Sequence, residues 1–138
     1  MLATTASRGP PLNFADADLL QRLKQLDHAS LDALPFGVIG FDAAGRIAVY
    51  NRFEAQSTGL DQDRQIGKDL FGEVAQCMNN FMVAQRFEDA LSGKQPMDAT
   101  MDYVLTWKMK PTKVQLRLLA DPGSALRYIA LSWRSPIA

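Results

Sequence analysis

Three side chains in the stretch YNRFEAQSTG are spaced by four: Tyr50, Glu54 and Thr58. If the chain turns helical at Asn51, each step of four shifts the face by only about 40°. A phenol, a carboxyl and a hydroxyl then stand in a row, as proton donors and acceptors along one wall of a pocket. The same spacing also fits a solvated helix face, with Tyr50 ending a strand and Glu54 in water, because glutamate is rarely buried without a partner. A fourth group stands further on, in GEVAQCMNN, where Cys77 is the only cysteine of 138 residues. A lone cysteine can be a small buried hydrophobe, or its thiolate can be a nucleophile. Hydrolysis by a Cys–His pair would need a base, an orienting group and an oxyanion site. The sole histidine, His28, lies far away in the chain and reads as an exposed helix end, so an enzyme is not the expectation.

Composition narrows the classes further. Apolar residues make up 47% and charged residues 22%, the balance of a globular domain. Fifteen basic and fifteen acidic side chains cancel, which argues against a surface built to hold nucleic-acid phosphates. No run approaches the ~18 apolar residues of a membrane span. The opening MLATTASRGPPLNF carries one arginine and no long apolar run, unlike a secretory signal. One cysteine cannot form an internal disulfide, which fits a reducing cytoplasm.

The elements that must position these groups follow from local patterns. Residues 1–14 read as a loose arm and 15–35 as a helical cap. In the cap, Leu19, Leu20, Leu23 and Leu26 form one stripe with Asp16 or Asp18 at its head, and SLDALP gives a short capped turn. FGVIGF and RIAVY are β-rich runs joined by DAAG, with Gly45 at the positive-φ position. Short helical pieces punctuated by Gly59 and Gly67 come next. NNFMVAQRFEDALSG then predicts a longer helix capped by Asn79 or Asn80, with Phe81, Ala84, Phe87 and Leu91 inward and Gly93 as its stop. Three strands follow, over about 97–105, 112–119 and 126–133.

Two strands, short helices, one longer helix and three strands imply an α+β fold: a five-stranded antiparallel sheet with short helices on one face, one longer connecting helix and a helical N-terminal lid. That is the layout of a PAS sensor domain, whose core would span 36–138. Three segments, LPFGVIGFDAAGRIAVYNRFEAQSTG, QIGKDLFGEVAQC and MKPTKVQL, resemble the photoactive yellow proteins, bacterial blue-light receptors of the PAS class. The resemblance runs from about Leu23 to Trp133.

The resemblance implies a p-coumaric acid (4-hydroxycinnamic acid) chromophore joined by a thioester to Cys77. Tyr50 and Glu54 match the residues that hydrogen-bond its phenolate oxygen, and Thr58 matches the threonine supporting the tyrosine. Met109 matches a methionine beside the chromophore that aids thermal return. There are departures: Leu60 stands where an arginine often covers the pocket mouth, Gln76 where a proline is frequent, and Trp107 where a tyrosine is common. Blue light would drive trans-to-cis isomerisation, Glu54 would hand over a proton, and the cap would loosen as the signal. The expected partner is a downstream signalling protein, with no nucleic acid and no membrane, and the expected state is a monomer or weak homodimer. The alternative on the same elements is a PAS module that binds a non-covalent ligand or dimerises through its sheet, without photochemistry.

Overall fold

A computed structural model of the chain describes residues 12–107 and 110–133. Its strands are β1 (Gly37–Phe41), β2 (Ile47–Tyr50), β3 (Met97–Trp107), β4 (Lys110–Ala120) and β5 (Arg127–Trp133). They form one antiparallel sheet in the order β2-β1-β5-β4-β3, so the last strand lies at the centre beside the first. Helices α1 (Leu19–Leu23) and α2 (His28–Asp32) precede the sheet. Between β2 and β3 run α3 (Arg52–Thr58), α4 (Gln62–Gln65), a π-helical turn at Leu70–Val74, a 3₁₀ turn at Gln76–Met78, and α5 (Ala84–Ser92). The five strands expected from the sequence are all present, and β3 and β4 reach further toward each other.

Alternation along the strands gives the sheet two apolar faces. Ile39, Ile129, Leu131, Leu116 and Leu118 pack with Tyr50, Leu70, Met78 and Phe87 under the helical segment. Val38, Tyr128, Ala130 and Leu119 face the other way, against Leu12, Leu19, Leu23 and Leu31 of the N-terminal cap. Cap and pocket therefore lie on opposite faces of one sheet.

The cap differs from its sequence reading in detail. Its stripe is interrupted: Leu19, Leu20 and Leu23 lie on the five-residue α1, Leu26 follows it, and the five-residue α2 adds Leu31. Leu26 N bonds back to Leu23 O at 3.2 Å, closing α1, and Asp27 opens α2 by accepting from Ser30 N at 2.8 Å. Neither proposed aspartate caps α1 with its side chain: Asp18 makes no cap bond, and the Asp16 carboxylate accepts from Asn13 N at 2.9 Å. Of the arm read over 1–14, residues 1–11 lie outside the described residues, while Leu12 is buried and Phe14 packs edge-on against Phe36.

The long helix also starts later than expected, at Ala84. The reason is Asn80, whose Oδ1 accepts from Met82 N at 3.0 Å and Val83 N at 3.2 Å. That turn throws Phe81 outward, 78% exposed, and gives its buried place to Val83. Ala84 and Phe87 point inward as expected, whereas Leu91, one turn beyond Phe87, is 43% exposed.

Arg117 fastens the cap to the sheet. It lies on the cap face of β4, 6% exposed, and its fork grips both Asp98 oxygens at 2.8 Å. The remaining nitrogen donates to Phe14 O at 2.8 Å and Asp16 O at 2.7 Å. Arg117→Met keeps the apolar stem and removes all four bonds. The expected loss is about 2 kcal/mol, modest because Asp98 is half-exposed and can rehydrate. Amide exchange should rise over residues 12–32 before it rises in β1 and β5; uniform acceleration across both would contradict this role.

Candidate functional site

Asn51 sets the direction of α3. Its Oδ1 accepts from Glu54 N at 3.2 Å, an N-cap bond, and from Val38 N at 2.9 Å. Its Nδ2 donates to Leu31 O at 2.9 Å and Phe36 O at 3.0 Å. The helix so aimed buries Glu54 and Thr58, at 3% and 6% exposure, with Tyr50 at 2% at the end of β2. The solvated-face reading of the four-residue spacing therefore fails.

These side chains are connected. Tyr50 Oη and Thr58 Oγ1 are 2.9 Å apart, with either able to donate. Thr58 also reaches Glu54 O at 2.9 Å. Glu54 Oε1 accepts from the indole Nε1–H of Trp133 at 2.7 Å. Gly37 makes room for that carboxyl, since a Cβ there would collide with Glu54 Oε1.

Burial pushes the Glu54 carboxyl up to about 7, against a smaller downward pull from the Trp133 bond. The Tyr50 phenol is raised above its usual range, first by burial and then by the charge of Glu54, with the Thr58 bond opposing. Burial thus shifts both acids toward their neutral, proton-donating forms.

Cys77 borders the same void. It sits partly buried in the 3₁₀ turn, and its carbonyl is pinned by Tyr103 Oη at 2.6 Å and by Asn80 Nδ2 at 3.2 Å. Tyr50, Glu54, Thr58, Leu60 and Cys77 line one narrow void of ≈ 30 Å³, walled by Leu105 and Leu131. The site's sequence-predicted residues are therefore brought together, except that Met109 and the side chain of Trp107 lie outside the described residues. A wider groove of ≈ 700 Å³ along β3 and β4 is lined by none of them.

A model of the PAS fold matches residues 25–134. Photoactive yellow protein of Halochromatium salexigens is 32% identical over 107 residues, 78% of this chain and 85% of that protein. The chain belongs to the photoactive yellow protein family. The family member from Rhodothalassium salexigens is 30% identical over the same shares. The crystal structure of the photoactive yellow protein domain from the sensor histidine kinase Ppr of Rhodospirillum centenum superposes with a TM-score of 0.74 at 33% identity. That match covers 83% of this chain and 98% of that domain. Family membership makes this chain a light-sensing PAS module, and not an enzyme. Among the described residues no helix is long and apolar enough to cross a membrane.

Sequence reasoning missed Trp133, Gly37 and Asn51 as parts of this site. Each left a signal: Trp133 continues the period-two face of Ile129 and Leu131, Gly37 interrupts a strand run where only a close approach requires it, and Asn51 precedes a helix with Glu54 three residues on.

The raised Glu54 carboxyl has a measurable consequence without any ligand. Folded, it titrates near 7, against 4.5 for the free side chain. Between those values the folded chain holds a proton that the unfolded chain has lost. Stability should therefore fall as pH rises from 4.5 toward 7, by about 3 kcal/mol, and level off above. Urea unfolding of the unloaded protein at pH 5 and pH 8, beside Glu54→Gln, checks it. The wild type should show the extra drop and the variant should not; parallel pH profiles would mean Glu54 titrates normally.

Proposed function

We propose that this chain is a bacterial blue-light photoreceptor whose Cys77 thiol carries a p-coumaroyl group as a thioester. The reading is supported above all by one observation: a single void is lined by a thiol, a phenol and a carboxyl whose proton affinity burial raises. The residues fit the group in kind. Cys77 is the one thiol available as an acyl anchor, and Tyr50 and Glu54 are donors suited to a phenolate oxygen. Size requires movement: a void of ≈ 30 Å³ holds about one water, so its lining must widen on loading.

When bound, the group would supply a blue-absorbing phenolate and a photoisomerisable double bond. Tyr50 holds the phenolate with one O–H bond. Thr58 supports Tyr50 by turning its own proton from Glu54 O to the tyrosine oxygen. Glu54 provides the second O–H bond in the dark, because burial beside an anion keeps its carboxyl protonated. In the light Glu54 gives that proton up and becomes a buried carboxylate, a state several kcal/mol uphill. Admitting water relieves it. Water enters as α3 shifts, and the N-terminal cap across the sheet, whose short helices depend on docking, yields with it. α3 is bonded to that cap through Asn51 to Leu31 O, and through Arg52 N to Asp32 Oδ1 at 2.9 Å. Leu60, which lines the void, gives it apolar cover. The output is a surface read by a downstream signalling protein in the cytoplasm.

Intact mass tests the anchor. Wild type supplied with activated p-coumaric acid should gain one acyl group, turn yellow, bleach reversibly in blue light and lose the group to alkaline hydroxylamine. Cys77→Ala should stay folded and colourless. A yellow, photobleaching Cys77→Ala protein would put the anchor elsewhere. A wild type that folds but takes up no acyl group would favour a non-covalent PAS module instead.

A further inference from the structure

The Glu54 carboxyl is held by a neighbour that none of the expected site roles includes. On the pocket face of the sheet, Gly37 of β1 pairs with Leu131 of β5, and Trp133 stands two residues further along the same face. The missing side chain at Gly37 leaves a gap on that face, and the Glu54 carboxyl fills it. Trp133, paired with Val114 on β4, is the diagonal neighbour of the gap. Its indole N–H meets Glu54 Oε1 at 2.7 Å.

An indole N–H donates and never accepts. A neutral carboxyl has one oxygen that only accepts and one that carries the proton. A permanent donor at Oε1 makes Oε1 the acceptor and puts the transferable proton on Oε2. When that proton leaves for the phenolate oxygen, the negative charge stays on the carboxylate, and the same N–H contact becomes a stronger, charge-assisted bond. The contact therefore favours the proton-released form more than the proton-holding form.

We propose that Trp133 is the positioning residue for proton transfer from Glu54, orienting the carboxyl through Oε1 and stabilising it once the proton has gone. The proposal rests on the light-sensing reading for its role in signalling, but the contact itself is testable without a ligand. Tyr50 and Cys77 are the other titratable groups lining this void, so both stay intact in every variant.

Three measurements decide it. In unloaded wild type, the Trp133 indole N–H resonance, told apart from Trp107 by a Trp107→Phe variant, should move with pH along the Glu54 titration and stay still in Glu54→Gln. In unloaded Trp133→Phe, the infrared carbonyl band of Glu54 should shift to higher frequency, and its pH midpoint should rise by about one unit, a tenfold change in proton affinity. In the loaded protein, Trp133→Phe should keep the yellow colour and slow bleaching of the Glu54 carbonyl band about tenfold. An indole resonance indifferent to pH, or an unchanged carbonyl band and midpoint in Trp133→Phe, overturns the proposal; the first needs only wild type and Glu54→Gln, so a poorly folding Trp133 variant does not shield it. A wild type that never turns yellow defeats the light-sensing reading alone, since the unloaded measurements still report on the contact.

Discussion

Placing the Glu54 carboxyl at 3% exposure among aliphatic side chains would cost several kcal/mol if its oxygens met no donor. The surrounding structure is arranged to avoid that outcome while keeping the group uncharged. Gly37 supplies the space and Trp133 supplies the bond. Burial is the larger influence and the Trp133 bond the smaller, so the carboxyl settles near 7, where proton loss and gain are both accessible. A lysine or arginine in place of the indole would have locked it as a carboxylate. An aliphatic residue there would have left it a weaker acid.

The hydroxyl of Thr58 gives the neighbouring phenol two faces. Thr58 has one hydroxyl proton and two acceptors at 2.9 Å, Glu54 O and Tyr50 Oη. If it donates to the carbonyl, it must accept from Tyr50, and the phenol then offers the pocket only lone pairs. If it donates to Tyr50, the phenolic proton is free to point into the pocket. Rotation about two C–O bonds, one in each side chain, thus turns Tyr50 from an acceptor toward the pocket into a donor with no backbone movement. Burial makes Tyr50 a weaker acid and keeps the phenol itself protonated in both arrangements.

Much of this was legible in the sequence because it depends on local rules. The β-runs, the Gly45, Gly59 and Gly67 breaks at positive φ, and the four-residue spacing from Tyr50 to Thr58 are all short-range patterns. The failures have one common cause, competition by contacts distant in sequence or by side chains bonding their own backbone. Helical periodicity predicts Phe81 in the core, but the Asn80 amide accepts from Met82 N and Val83 N in a turn and shifts the helix start to Ala84. Trp133 is 79 residues from Glu54, and no periodicity within either segment links them. Arg117 is likewise invisible as a fastener until β3 and the chain near Phe14 converge on it.

Asn51 shows how a familiar local motif is diverted to this purpose. An asparagine followed three residues later by glutamate resembles a capping box, in which the glutamate side chain would turn back to the Asn51 N–H. Here that N–H is already taken by Val38 O at 3.1 Å, through the pairing of the chain with β1. Glu54 is released from capping duty, and its side chain is free to enter the pocket. The Asn51 amide meanwhile bonds the Glu54 N–H on one side and Leu31 O on the other. The helix bearing the buried acid and the cap on the opposite face of the sheet therefore share one side chain, and α3 cannot swing outward without breaking at least one of its four bonds.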